Sequence, residues 1–156
     1  MLHMLKTLAL FLVALTVARG VELATKKSLT LAAIKAMVSA SEAEAAKRNV
    51  QVTICIVDES GNILFLEKAD RAALNTIEFA ERKARHAAFY RSPSKSGADT
   101  VKKGNLDVLS FPQFFPNQGG LPITVDGQTI GGISASGAAS EIDEAIAKAG
   151  LDVLSN

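Results

Sequence analysis

From about position 28 onward, apolar residues alternate between helical and strand-like spacing. Leu31, Ile34, Met37, Val38 and Ala45 recur at helical intervals, predicting a helix from an N-cap at Ser28 to Lys47-Arg48-Asn49. Its two cations fall in the last turn, where the helix dipole favours positive charge. Val50, Val52, Ile54 and Ile56 then alternate with their neighbours as one face of a strand. Asp58-Glu59-Ser60-Gly61-Asn62 reads as a turn, and Ile63 to Leu66 as the return strand of a hairpin. Asn75 and Glu78 have the spacing of a capping box, opening a second helix over Thr76 to Arg91. Its core stripe is Ile77, Ala80, Ala84, Ala87 and Ala88, small enough to predict close packing on a sheet, and Pro93 stops it.

A short helix is expected around Ala98 to Lys103, ended by Gly104. Phe111-Pro112-Gln113-Phe114-Phe115-Pro116 then sets three of the seven phenylalanines among prolines, ahead of Gly119-Gly120, as a stiff apolar loop or an edge strand. Leu121 to Val125 and Thr129 to Ser136 flank Asp126-Gly127, a strong hairpin signal. Gly131-Gly132 inside a strand predicts close approach by a second backbone or a ligand. Ser140 and Asp143 open a last helix with Ile142, Ala145, Ile146 and Ala149 on one stripe and Gly150 as its stop. Hairpins dominate this order, so the expected fold is α+β, an antiparallel sheet packed by helices.

The first 20 residues have a different character. Lys6 precedes the apolar run Leu8 to Leu15, and Ala18-Arg19-Gly20 places small residues at a cleavage site, the pattern of a secretory signal peptide. The run is shorter than the roughly 20 residues a membrane span needs. The expectation is a leader over 1–20, one domain over 21–156, and a periplasmic or secreted location. Removing Lys6 and Arg19 from 17 basic residues leaves 15 against 16 acidic, a net charge of −1. That balance excludes a nucleic-acid binder, which needs a basic field. The single cysteine, Cys55, excludes an internal disulfide framework.

Motif chemistry is sparse. No phosphate-binding glycine loop occurs, and one histidine beyond the leader, His86, with one cysteine cannot build an ordinary zinc site. Phe79, Lys83, His86 and Tyr90 share a helix face and would make one wall of a pocket: apolar platform, imidazole, cation and phenol. The alternative is a half-exposed flank with a solvent-facing histidine. Glu78/Glu81 and Glu141/Glu144 each bring two carboxylates to one face, suited to a hard cation or iron shared with a neighbouring subunit, though such pairs are more often solvated surface.

Gly119-Gly120-Leu121-Pro122-Ile123-Thr124-Val125-Asp126-Gly127, continuing to Gly137 and into Glu141-Ile142-Asp143-Glu144, resembles the signature of the GlcG/HbpS-like haem-binding family. Val57-Asp58-Glu59-Ser60-Gly61-Asn62 and Lys83-Ala84-Arg85-His86-Ala87-Ala88-Phe89 resemble that family's first hairpin and second helix. The resemblance spans roughly Ser28 to Leu154. It implies a profilin-like fold with a five-stranded sheet, homo-oligomers, and non-covalent haem or another tetrapyrrole as ligand, in some members with haem degradation. On that footing Phe89, Phe111, Phe114 and Phe115 would supply the apolar wall and His86 or Tyr90 the axial ligand. Lys83 or Arg85 would pair a propionate, and Glu78 and Glu81 are the candidate iron ligands. Two rival readings are an oligomeric interaction module partnering a membrane sensor or an enzyme, and a hydrolase using Ser134 or Ser136 with His86.

Overall fold

The computed structural model describes residues 21–154. Helix α1 spans Leu31–Lys47 and is followed by the hairpin β1 (Thr53–Asp58) and β2 (Ile63–Lys68). Helices α2 (Thr76–Tyr90) and α3 (Ser94–Lys102) come next, then a 3-10 turn over Asp107–Ser110. A second hairpin, β3 (Gly120–Val125) and β4 (Gln128–Ser136), leads into α4 (Ser140–Asp152). The strands form one antiparallel sheet in the order β2-β1-β4-β3.

The alternation of β1 sorts the core into two unlike layers. Ile54 and Ile56, with Ile133 and Ala135 of β4, pack against Ile34, Met37 and Val38 of α1 and Ile146 and Ala147 of α4. Cys55 and Val57 point the other way, against Ala80, Ala84 and Ala88 of α2. Burial on that side pushes the Cys55 thiol up to about 12, so it stays protonated and inert. The glycine strands earn their residue type here by close approach. A Cβ on Gly132 would overlap the Ala84 carbonyl oxygen, and one on Gly120 the Lys83 carbonyl oxygen. Helix α2 therefore lies on bare sheet backbone, as its alanine stripe and Gly131-Gly132 predict.

Among the described residues the sheet has four strands, not five. The Phe-rich segment is a loop, because Pro112 and Pro116 have no N–H for a ladder and Gln113 takes φ 58°. Two of its donors are spent locally, Phe114 N on Phe111 O and Asn117 N on Phe115 O. Several helix ends also differ from expectation. Thr30, not Ser28, caps α1, its Oγ1 accepting from Ala33 N at 3.1 Å. Asn75 precedes α2 without a capping bond, since it is already αR in backbone, and Ile77 is 37% exposed rather than core. Helix α3 starts at Ser94, before the predicted Ala98. Asp143 turns inward instead of capping into solvent. The leader over 1–20 lies outside the described residues.

Candidate functional site

Two features of α2 organise the region around the Phe-rich loop. The first is a buried ion pair. Lys83 Nζ lies 2.8 Å from Asp143 Oδ2, with side-chain exposures of 2% and 3%, and donates also to Ala135 O at 3.2 Å. Asp143 Oδ1 accepts from Ala138 N at 2.9 Å, so the carboxylate ties α4 and the end of β4 to α2. Burial nevertheless holds the Asp143 carboxyl above the usual range, against the opposing pull of Lys83 and the backbone donors. Lys83 thus faces the sheet and not a solvent-accessible wall.

The second feature is an aromatic cavity of about 250 Å³ between α2, α3 and the Phe-rich loop. One side is His86 and Tyr90 of α2 with Phe111 and Phe114 of the loop. His86 and Phe114 meet edge-on at 5.0 Å between ring centroids, and Tyr90 and Phe114 at 5.6 Å. Ser92, Ser96, Gly97 and Thr100 complete the lining, the Thr100 hydroxyl donating to Ser96 O at 2.8 Å. Gly97 is required: a Cβ there would stand 2.8 Å from His86 Cε1 and 3.1 Å from the Phe114 ring. Val108 adds a further apolar contact.

The loop is anchored on α2 by side chains rather than by a sheet ladder. Phe115 N donates to His86 Nδ1 at 2.9 Å, and Tyr90 Oη donates to Pro112 O at 2.6 Å. Arg82 stacks 4.2 Å above the Phe115 ring, and Phe79 packs on the same ring at 5.6 Å. His86 is only 1% exposed, and burial pushes its imidazole down to about 4, leaving it neutral at physiological pH.

The structure brings His86, Tyr90, Phe111 and Phe114 together. It does not bring Lys83 or Phe89 to them: Phe89 is 52% exposed and faces a separate cleft with Glu59 and Arg91. His86 is buried, not the solvent-facing flank of the alternative reading. Arg85 is occupied by Gly61 O at 2.9 Å and by Glu81. Glu78 lies 3.6 Å from Arg82, so each acid of the Glu78/Glu81 pair faces an arginine one turn on. Among the described residues no group of three or more His, Cys, Asp or Glu converges as a metal site. Ser134 donates to Ala80 O at 2.5 Å on the far side of α2, and the His86 nitrogen that could serve a serine is held by Phe115, so no nucleophile–base pair forms. Sequence spacing alone missed Arg82, although it lies three residues after Phe79. The sequence pattern leaves Ser96 outside the predicted helix, which begins at Ala98, one turn after the observed start at Ser94.

The fold belongs to a known family. Residues 29–152 match the family described as haem degrading protein HbpS-like, and the chain belongs to it. Its similarity to protein GlcG of Escherichia coli strain K12 is 33% identity over 112 residues, 72% of this chain and 84% of GlcG. Among solved structures, a Streptomyces reticuli HbpS double mutant superposes with TM-score 0.79 at 33% identity, covering 88% of this chain and 94% of that one. A PduOC:haem complex superposes with TM-score 0.74 at 26% identity, covering 80% of this chain and 94% of that one. These likenesses support haem-related binding and a tetrapyrrole ligand.

Proposed function

We propose that this is an exported protein that binds haem non-covalently in the cavity between α2, α3 and the Phe-rich loop. The observation that carries the assignment is the aromatic wall of Tyr90, Phe111 and Phe114 with the buried His86 imidazole within it and Ser92 and Ser96 in the lining. Ligand sites are concave, mostly apolar and fitted with a few placed polar groups, and this cavity has that composition. Its volume of about 250 Å³ falls just below the roughly 300–1,000 Å³ of sites that enclose a drug-sized ligand. It suits one edge of a macrocycle, with the remainder lying over the exposed Phe111 or against a second copy of the chain.

Tyr90 would ligate iron as a phenolate, giving up its hydrogen bond to Pro112 O. Haem, when bound, supplies a redox-active iron; the chain supplies orientation and an apolar surround. Glu78 and Glu81 each have an arginine one turn on, and the ligand proposed is the tetrapyrrole alone. Export rests on the leader-like pattern of residues 1–20 and on a family match that begins only at residue 29.

The test is a haem titration followed in the Soret region, with Tyr90→Phe and Phe114→Ala alongside. Saturable binding that is weakened at least tenfold by Phe114→Ala, with an altered spectrum in Tyr90→Phe, is expected. No saturable spectral change in the unsubstituted protein would overturn the assignment and leave the cofactor-free interaction module in its place.

A further inference from the structure

His86 invites the role of iron ligand, but its hydrogen bonding opposes that role. A backbone N–H can only donate, so the ring nitrogen facing Phe115 N at 2.9 Å must be an acceptor without a proton. In a neutral imidazole the proton then sits on Nε2. That nitrogen has no partner among the described residues, while the ring, only 1% exposed, forms part of the cavity wall. A protonated Nε2 cannot coordinate a metal. It is instead an unpaired donor on a ring that lines the cavity beside Gly97, free to meet an acceptor there.

The rest of the lining fits the same acceptor. Ser92 and Ser96 carry hydroxyls with no partner among the described residues, and no residue lining the cavity is an aspartate or glutamate that would repel an anion. The charged groups nearest on the packed elements are turned to other tasks: Arg82 stacks on Phe115, Lys83 pairs with Asp143, and Lys95 pairs with Asp99.

Building on the reading of the cavity as a tetrapyrrole site, we propose that His86 is a positioning donor and not the iron ligand. Its Nε2–H receives a carboxylate oxygen of the ligand, and Nδ1 simultaneously holds the Phe-rich loop in place. The protein would accordingly select tetrapyrroles by their free acid edge and would bind them with or without iron.

Two amide substitutions separate the two nitrogens. In His86→Asn the side-chain oxygen stands near the Nδ1 position and can still accept from Phe115 N, while the outward donor is lost. In His86→Gln the amide N–H stands near the Nε2 position. Affinities are measured by fluorescence titration with metal-free protoporphyrin IX and with its dimethyl ester, and by absorption with haem. Far-UV circular dichroism checks that both variants remain folded. Loss of a charge-assisted hydrogen bond predicts at least about a tenfold weakening of protoporphyrin IX binding in His86→Asn. The ester should bind the unsubstituted protein and His86→Asn alike, and His86→Gln should retain most of the preference for the acid.

Equal protoporphyrin IX affinity in the unsubstituted protein and His86→Asn would overturn the proposal. A loss confined to haem would do the same and restore His86 as an iron ligand. An equal loss for acid and ester would reduce His86 to a packing residue. Failure of the unsubstituted protein to bind any of the three compounds is a different result, and it would overturn the tetrapyrrole reading itself.

Discussion

Breaking the Lys83–Asp143 pair should cost more than any single surface ion pair in the molecule, and the two ways of breaking it should differ with pH. At 2.8 Å and an effective dielectric constant of about 20, the attraction is about 6 kcal/mol. Desolvation of the two ions offsets most of this, so the intact pair adds little net stability. Removing one partner strands the other and costs about 3–5 kcal/mol. The two remnants are not equivalent. After Lys83→Met, the Asp143 carboxyl, already held above its usual range by burial, loses its cation and rises further. A carboxyl whose folded pKa exceeds its unfolded value gains stability as pH falls, so the loss in Lys83→Met should shrink between pH 7 and pH 5. After Asp143→Asn the stranded group is an ammonium, which acid does not neutralise, and the loss should persist. The double variant should fall short of the summed single losses by 2 kcal/mol or more. Urea unfolding should be followed by far-UV circular dichroism, because the chain has no Trp and one Tyr. Single losses below about 1 kcal/mol that simply add would refute a sealed pair. Lys83→Met, where folded, should leave porphyrin affinity unchanged; a tenfold loss would return Lys83 to the ligand site.

Two further outcomes follow from the same geometry. With the His86 imidazole lowered from its ordinary 6.5 to about 4, the unfolded chain binds a proton that the folded one refuses. Stability should be flat above pH 6.5, fall by about 3 kcal/mol in total down to pH 4, and level off below; subtracting the unfolding curves of His86→Asn, which cancels the opposite contribution of Asp143, should isolate this slope, and parallel curves would refute it. Gly132→Ala should cost about 3 kcal/mol or prevent folding, because its Cβ meets the Ala84 carbonyl oxygen, whereas Ile133→Val on the other face should cost about 1 kcal/mol; equal midpoints in thermal unfolding would contradict the backbone contact.

Element type was legible wherever local spacing dominated. The alternation of Val52, Ile54 and Ile56, the Asp126-Gly127 turn and the alanine stripe of α2 are short-range patterns, and each formed the element it predicts. What could not be read depended on partners far away in the chain. Lys83 looked like a surface cation because Asp143, 60 residues on, is what makes its burial tolerable. The Phe-rich stretch could be loop or edge strand until His86 took the one backbone donor at Phe115. His86 and Tyr90 were identifiable as neighbours from their four-residue spacing, but which imidazole nitrogen faces the cavity is decided by a contact 29 residues away.

The contact between α2 and the sheet has a consequence for how this protein can change. Its closest approaches there are helix alanines over strand glycines, side chains with almost no rotamers to lose. The opposite layer, built of isoleucine, valine and methionine, can absorb an altered residue by shifting neighbours. A helix seated on bare backbone has no such slack, so any bulk added beneath it moves the whole rod and carries His86 and Tyr90 with it. Drift in sequence should therefore accumulate on the α1/α4 side of the sheet, while the α2 side changes only in steps large enough to remake the cavity.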